Sequence, residues 1–299
     1  MPSGLLLLDK PAGLSSNAAL QRVRRACGAR KAGHVGSLDP LATGMLPICL
    51  DEATKLAGEI LQGRKKYRFT VTLGTRTATG DVEGAPVETA PVPVLEREQV
   101  ERVLQDFLGP QKQVPPMYSA IKRGGQPLYR LAREGIEVER EPRDIEVFEL
   151  VLTRFEPPRL ELEALCSKGT YVRSLAEDIA RALGTCGHVS ALRRLYVEPF
   201  DSEPMVTLEE IEAACRMGAP LPFVPLERAL GHLPQVVLDH AAADRLRHGQ
   251  PVAAGIGRAA RVRLYDESGC FLGLGEAEPS GRVLPRRLFV TPLPSGRPS

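Results

Sequence analysis

The sequence predicts an α+β fold, because strand and helix patterns are interspersed without a regular strand–helix–strand rhythm. The clearest strand is "KYRFTVTLG", where Tyr67, Phe69 and Val71 alternate with polar residues, as in a sheet with one buried face. The clearest helix is "LSSNAALQRVRRACG", which begins with residues able to cap it and ends at Gly28. After about Gly231, short strands and glycine turns predict a small β-barrel-like domain.

The other elements follow in chain order. "PVPVLEREQVERVLQDFLGP" has apolar residues at helical spacing and predicts a helix that stops at Gly109. "IEVFELVLTRF" and "RLELEALCSKG" predict an antiparallel hairpin, and "TYVRSLAEDIARALG" predicts a helix ending at Gly184. Thr207 and Glu210 have the spacing of a capping box at the start of a further helix. Residues 114–142 are irregular, rich in proline and charge, and so predict a functional or mobile connection.

Composition is that of an ordinary globular protein, with 43% hydrophobic and 25% charged residues among 299 and a net charge of +2. The segment before Leu38 is nonetheless basic, which indicates either a phosphate-binding face or a solvated helix face. Six scattered cysteines without a CxxC pair argue against structural zinc, and we expect them to be reduced. The apolar start "GLLLLDKP" is too short for a signal peptide or a membrane span, so we expect a cytoplasmic protein.

One carboxylate has an unusual setting. Asp39 lies in "AGHVGSLDPLATGML", followed by Pro40 and a rigid apolar stretch, with no acid, cysteine or serine placed as its catalytic partner. In most proteins such an aspartate is a turn residue. A carboxylate held at the edge of a core needs a cation to stay ionised, and Arg173 is a candidate, although it could equally lie on a helix surface. A lone aspartate with an arginine partner suits covalent nucleophilic catalysis.

The aromatic residues point towards a nucleic acid. Tyr67 follows "GRKK" and Tyr171 follows "SKGT", and tyrosines beside lysine or arginine are typical of base stacking, although each could be an ordinary strand residue. His34, between Gly33 and Gly36, could be a core histidine. Serine-hydrolase, zinc-protease, P-loop and dinucleotide-binding motifs are all missing from the sequence. The residues therefore indicate an RNA- or nucleotide-handling enzyme with an aspartate nucleophile.

An ordered series of motifs resembles the bacterial tRNA pseudouridine-55 synthases, the TruB family. The series includes "GLLLLDKPAGLSSN", "AGHVGSLDPLATGMLPICLDEATKL", "KKYRFTVTLGTRTATGD", "VPPMYSAIKRGGQPLYRLAREGIEV", "CSKGTYVRSLAEDIARALG" and "HVSALRRL", and it covers nearly the whole chain. The resemblance implies isomerisation of uridine 55 in the T loop of tRNA, with base flipping and without cofactor or metal. One departure is Ala78, where the family often has an acid, so that Asp81 would have to serve instead.

The resemblance also implies site residues. Asp39 would be the nucleophile, Arg173 its ion-pair partner, Tyr67 the residue that stacks on the uracil, and Tyr171 a residue lining the base that takes the C5 proton. The implied substrate-binding residues are His34, Lys10 and Leu192. From charge rather than motif, contacts to the RNA backbone are predicted at Arg22, Arg24, Arg25, Arg193 and Arg194.

The implied fold is a mixed, mostly antiparallel sheet flanked by helices, the pseudouridine synthase catalytic fold, with a small C-terminal β-barrel-like domain of the PUA type. We expect a catalytic domain at 1–231, a mobile thumb at 114–142 and an RNA-binding domain at 232–299. The expected partner is the T stem-loop of tRNA, with no membrane, no obligate protein partner and a monomeric chain. Alternatives are a guide-RNA-dependent rRNA enzyme, an RNA-binding or tRNA-folding factor with secondary catalysis, and an aspartate-nucleophile glycosidase.

Overall fold

A computed structural model describes residues 3–255 and 258–289. The last residues of the predicted C-terminal domain, 290–299, and residues 256–257 within it lie outside the described part. The strands are β1 (Gly4–Lys10), β2 (Ala32–His34), β3 (Thr43–Leu50), β4 (Lys65–Leu73), β5 (Thr75–Thr77), β6 (Pro86–Thr89), β7 (Gly109–Gln113), β8 (Lys122–Arg123), β9 (Gln126–Pro127), β10 (Arg143–Glu156), β11 (Arg159–Cys166), β12 (Gly187–Val197), β13 (Gln235–Leu238), β14 (Val252–Ala253), β15 (Ala260–Asp266), β16 (Phe271–Ala277) and β17 (Arg282–Leu288).

The helices lie between these strands. They are α1 (Ser16–Ala26), α2 (Ala57–Ile60), α3 (Arg97–Gln105), α4 (Leu128–Arg133), α5 (Val172–Ala182), α6 (Leu208–Met217), α7 (Leu226–Ala229) and α8 (His240–Arg247), with a 3₁₀ helix at Asp51–Leu56. Two caps predicted from sequence are present. The Ser15 hydroxyl accepts a hydrogen bond from the Ala18 amide, and Thr207 and Glu210 form a reciprocal capping box.

The main sheet has the strand order β1-β3-β12-β4-β11-β10-β7, with β2 paired to β3. Every pairing in it is antiparallel except the short parallel contact between β12 and β3. Helices α1, α3 and α5 pack against this sheet, and α6 packs against α1. This architecture confirms the predicted mixed, mostly antiparallel sheet flanked by helices.

The apolar run at the start of the chain is explained by burial on both faces of β1. Leu6 and Leu8 belong to the core beneath α1 and α5, whereas Leu5 and Leu7 belong to a second core on the opposite side. A strand covered on both faces has no polar positions, so its sequence is continuously apolar rather than alternating. Each fully buried leucine side chain contributes about 1.5–3 kcal/mol of transfer free energy.

A second sheet follows the main sheet. Its five strands have the order β13-β15-β16-β17-β14, and α8 packs against it. This unit confirms the predicted small β domain. It contacts the main sheet through the second core, which includes Tyr265 and Phe271, and through an Arg261–Glu59 ion pair of 2.7 Å.

Residues 114–142 differ from the sequence-based expectation of an irregular segment. Strands β8 and β9 form a short ribbon there, and helix α4 follows directly. The glycine pair Gly124–Gly125, both at positive φ, supplies the turn between β8 and β9, and Leu128 is buried at the start of α4. These elements are too short for their periodicity to be visible in the sequence.

All six cysteines are free, as expected. Within the described ranges, no helix is long and apolar enough to cross a membrane.

Gly44, the glycine of β3, is predicted to tolerate substitution poorly. It has φ +97°, and an added Cβ would lie 2.1 Å from the Arg194 carbonyl oxygen of the neighbouring strand β12. We expect Gly44→Ala to lower the free energy of unfolding by roughly 2–4 kcal/mol, against about 1 kcal/mol for Gly218→Ala, which has positive φ but open space. Chemical denaturation measures both; equal losses would contradict the predicted clash.

Candidate active site

Asp39 lies in the loop between β2 and β3, and that loop is held from two sides. Ser16, 4% exposed at the start of α1, donates a hydrogen bond to the Leu38 carbonyl (2.9 Å) and accepts one from the Leu38 amide (2.7 Å). The Pro40 carbonyl accepts from the Gly13 amide at 2.8 Å. The residues on both sides of Asp39 are therefore fixed, which orients its side chain, 34% exposed, without a bond to the carboxylate itself.

Arg173 is the cation that faces this carboxylate. It lies in the first turn of α5 and is 3% exposed. Its Nε is 2.9 Å from Asp39 Oδ2, and its Nη2 donates to Oδ1 at 3.2 Å, which makes the pair bidentate. The other donors reach the carbonyls of Thr79 (2.7 Å) and Tyr118 (2.8 Å). The structure thus contains the predicted pair and excludes the alternative of a surface helix arginine.

Asp81 is a second acid behind the pair. It is 3% exposed, and its Oδ2 lies 3.9 Å from Arg173 Nε. Its Oδ1 accepts hydrogen bonds from the Thr79 hydroxyl (2.5 Å) and the Glu83 amide (3.1 Å). Asp81 therefore lies beside the Asp39–Arg173 pair, whereas position 78 is an alanine.

The protonation of Asp39 depends on opposing effects. Burial raises the pKa of its carboxyl above the usual range, and the negative charge of Asp81 acts in the same direction. The charge and hydrogen bonds of Arg173, and more weakly the charge of Lys10, lower it. Arg173 exerts the largest of the effects that favour the ionised form of Asp39.

Lys10 supports the loop from below. It is fully buried at the end of β1, and its Nζ donates to the carbonyls of Leu14 (2.6 Å), Pro11 (2.8 Å) and Pro40 (3.3 Å). Burial lowers its pKa to about 8, against the raising effect of the nearby Asp39 and Glu83 carboxylates. Lys10 thus holds the backbone of the Asp39 loop through the Pro40 carbonyl.

The two predicted tyrosines lie within electrostatic reach of Asp39. Tyr67, on β4, is 8% exposed, and burial raises its pKa. Tyr171 precedes α5, and burial raises its pKa while the charge of Arg173 lowers it. Gln113, which sequence reasoning missed, fixes the Tyr171 backbone: its Oε1 accepts from the amide at 2.8 Å and its Nε2 donates to the carbonyl at 3.0 Å.

Two further residues complete the predicted pocket wall. Leu192, 8% exposed on β12, pairs in register with Phe69 of β4, two residues from Tyr67. His34, at the end of β2, has a buried Nδ1 without a hydrogen-bond partner. Burial and the charge of Arg194 both lower the His34 pKa, so the imidazole is neutral at pH 7.

The arginines whose charge led to a predicted RNA contact fall into two groups. Arg24 and Arg25 of α1 are exposed, and Arg22 pairs with Glu212 at 2.8 Å while keeping 35% of its side chain exposed. Arg193 is 38% exposed and forms a bidentate pair with the Asp9 carboxylate.

Arg194 forms the second group alone, and its predicted phosphate contact is wrong. The residue is 1% exposed, and its guanidinium donates inward to the carbonyls of Met45 (2.7 Å) and Gly36 (2.9 Å). Strand alternation explains the difference, because Arg193 and Arg194 point to opposite faces of β12 and only the first reaches solvent.

No metal site accompanies these residues. Within residues 3–255 and 258–289, no group of three or more histidine, cysteine, aspartate or glutamate side chains could hold a metal ion. The side chains described around Asp39 therefore provide one ion-paired carboxylate, two tyrosines and an apolar leucine.

Lys10 is expected to make stability rise with pH. Its pKa is about 8 in the folded protein and 10.5 when solvated, so between these values the unfolded chain binds more protons. The stability difference between wild type and Lys10→Met should therefore shift in favour of wild type by about 3 kcal/mol between pH 7 and pH 10.5. Denaturant unfolding at several pH values measures this shift. The exposed Lys112→Met is the control, and a flat difference for Lys10→Met would contradict the lowered pKa.

Solved structures share this fold. An H/ACA ribonucleoprotein bound to a substrate RNA containing 2'-deoxyuridine superimposes with a TM-score of 0.73 at 23% identity, covering 96% of this chain and 85% of that one. A Cbf5-Nop10-Gar1 complex gives a TM-score of 0.70 at 27% identity, covering 92% of this chain and 78% of that one.

Curated relatives are much closer in sequence. The tRNA pseudouridine synthase B of Nitrosococcus oceani is 50% identical over 292 residues, covering 96% of this chain and 95% of the relative. The protein of the same name from Methylobacillus flagellatus is 48% identical, with 96% and 95% covered.

Three family models match the chain in succession. The N-terminal domain of the TruB family pseudouridylate synthases matches residues 24–172, the C-terminal domain of tRNA pseudouridylate synthase B matches 173–230, and the C-terminal model of pseudouridine synthase II TruB matches 234–289. Together with the relatives at about 50% identity, these matches identify the chain as a member of the TruB family of pseudouridylate synthases.

Proposed function

We propose that this chain isomerises uridine 55 in the T loop of tRNA to pseudouridine, with Asp39 as the nucleophile and without a cofactor. The observation that carries the proposal is the bidentate pair between Asp39 and Arg173 beside the Tyr67–Leu192 wall. The choice of tRNA rests on the relatives named tRNA pseudouridine synthase B.

The chemistry suits a site with one ionised carboxylate. The glycosidic N1–C1' bond breaks, the uracil turns, a C5–C1' bond forms, the C5 proton leaves and N1 gains a proton, so nothing is added from water. Because water would trap a cleaved intermediate, a mostly buried site protects the reaction. Attack by Asp39 on the base and attack on the ribose are both compatible with this geometry.

The other side chains receive roles by position. Tyr67 stacks on the uracil, Leu192 forms the apolar wall opposite, and Tyr171 lines the base and takes the C5 proton. His34, neutral at the edge of the pocket, packs against the flipped nucleotide. Lys10 holds the floor through its three backbone carbonyls.

Residues 114–142 act as a thumb that closes on the T arm. Their first part already contacts the site, because the Tyr118 carbonyl accepts from Arg173 and the Val114 carbonyl accepts from the Ser174 hydroxyl at 3.3 Å. Closure of this segment would exclude water from Asp39. The exposed Arg24 and Arg25, with the partly exposed Arg22 and Arg193, then contact the RNA backbone.

We also propose that the chain is divided into two domains. Residues 1–231 form the catalytic domain, and 232–299 form a PUA-like domain that binds RNA. The enzyme acts in the cytoplasm as a monomer without an obligate protein partner. The guide-RNA-dependent alternative is disfavoured because the structures of such assemblies are 22–27% identical to this chain, against about 50% for the relatives that bear the tRNA enzyme's name.

The proposal is tested by mapping pseudouridine in transcribed tRNA after incubation with the purified protein, using carbodiimide modification and primer extension. One stop in the T loop, lost with Asp39→Asn while tRNA binding persists, supports the proposed function. A stop only in ribosomal RNA would favour the guide-dependent branch, release of free uracil would favour a glycosidase, and tRNA binding without any stop would leave an RNA-binding factor.

Arg173→Ala should reduce kcat strongly. Removing one member of a largely buried ion pair leaves the other charge uncompensated at a cost of roughly 2–4 kcal/mol, which corresponds to roughly 30-fold to 1,000-fold in rate. Single-turnover assays of pseudouridine formation measure the loss. Arg181→Ala on the exposed face of the same helix is the matched control, and a rate within twofold of wild type for Arg173→Ala would refute the pairing.

Tyr67 variants distinguish stacking from other roles. If the ring chiefly stacks on uracil, Tyr67→Phe keeps most of the rate, whereas Tyr67→Leu loses about 1–3 kcal/mol of stacking, roughly 5-fold to 150-fold in kcat/KM. Equal losses in the two variants would mean that the hydroxyl, rather than the ring, is what the reaction requires.

A further inference from the structure

Arg194 is a buried cation that the proposed reaction leaves without a role. It is 1% exposed and one of the two largest fully buried side chains. Within the described part of the chain, no aspartate or glutamate forms an ion pair with it, whereas Arg173 faces both Asp39 and Asp81. A buried charge without a counter-charge is costly, so its retention calls for a reason beyond packing.

Its place in the sheet links the two sides of the site. On β12, Arg194 pairs in register with Gly44 of β3 on one side and with Tyr67 of β4 on the other. Strand β3 continues directly from the Asp39 loop, and β4 carries the stacking tyrosine. A register shift follows between Arg194 and Tyr196, and such bulges re-aim side chains next to active sites.

The Arg194 guanidinium hydrogen-bonds to the backbone on both sides of Asp39. Its Nη2 donates to the Gly36 carbonyl at 2.9 Å and its Nε donates to the Met45 carbonyl at 2.7 Å, so one planar group joins the chain before Asp39 to the chain after it. The backbone is shaped to fit: a Cβ on Gly36, at φ +71°, would lie 3.2 Å from Nη1.

The same group lies beside the Tyr67 hydroxyl. Burial raises the pKa of Tyr67, and the charge and hydrogen bonding of Arg194 lower it. Cross-strand partners point to the same face of a sheet, so Arg194 and Tyr67 share the face that Leu192 also occupies. One side chain therefore contacts both the backbone that positions the nucleophile and the ring assigned to the uracil.

We infer that Arg194 is a positioning residue that fixes the Asp39 loop relative to Tyr67 through its two carbonyl hydrogen bonds and its cross-strand pairing with Tyr67. The effect of this role on catalysis rests on the proposed function, whereas its effect on the position of the Asp39 loop does not. A misplacement of about 1 Å between reacting groups costs roughly 100-fold in rate. Removing the clamp should therefore lower kcat far more than it weakens tRNA binding.

The test compares three variants. Arg194→Met removes the charge and the donors, and Arg194→Lys keeps the charge but cannot span both carbonyls with a planar fork. Lys65→Met is the matched control, because Lys65 is also a buried cation, 4% exposed, whose Nζ donates to two backbone carbonyls, those of Leu61 and Gly63, away from the Asp39 loop.

Two readouts are expected to separate positioning from stability alone. For Arg194→Met, native-state amide exchange in residues 35–46 should rise about tenfold and kcat should fall roughly 100-fold, with KM within about threefold of wild type. Arg194→Lys should recover part of kcat. Lys65→Met should leave exchange in residues 35–46 unchanged and kcat within about threefold, even if it unfolds more easily.

The outcomes that would overturn the inference are distinct from a failure of the proposed function. The inference would be overturned if folded Arg194→Met and Arg194→Lys both showed wild-type amide exchange in residues 35–46 and wild-type kcat. It would also be overturned if Arg194→Met and Lys65→Met lost equal amounts of kcat. If Arg194→Met does not fold, Arg194→Lys decides in the same way. If wild-type protein forms no pseudouridine, the proposed function fails, and the exchange comparison alone decides whether Arg194 clamps the loop.

Discussion

The structure of the site depends on keeping one carboxylate charged where burial favours its neutral form. Arg173 favours the ionised form of Asp39. It is itself buried and donates to Asp39 and to two backbone carbonyls from separate segments. Those carbonyls belong to Thr79, near β5, and to Tyr118, in the 114–142 segment. The hydrogen bonds and the ion pair of Arg173 therefore connect α5, the β2–β3 loop and the 114–142 segment.

Three buried cations surround the Asp39 loop, and each contacts a different part of it. Arg173 faces the carboxylate, Lys10 lies beneath the loop at Pro40, and Arg194 holds the backbone at Gly36 and Met45. Only Arg173 is paired directly with an acid. The other two donate to backbone carbonyls and so hold the backbone of the loop.

Sequence patterns predicted the elements that have strong local signals. The alternation in β4 and the capping residues of α1 and α6 follow from short-range chemistry, and the structure contains each of them. Arg194 was misassigned because charge was weighed without strand alternation, although its spacing of two from the apolar Leu192 indicates the buried face. Gln113 and the short elements of 114–142 gave no usable signal, because their roles depend on contacts with residues far away along the chain.

The most direct test of the central claim is an NMR titration of the Asp39 carboxyl with ¹³Cγ-labelled aspartate, assigned by its loss in Asp39→Asn. We predict an Asp39 pKa above the usual aspartate range in the wild type and a further rise in Arg173→Met. In that variant burial raises the pKa without the opposing charge and hydrogen bonds of Arg173. An Asp39 pKa that is the same in Arg173→Met as in the wild type would contradict the claim that Arg173 keeps the nucleophile ionised.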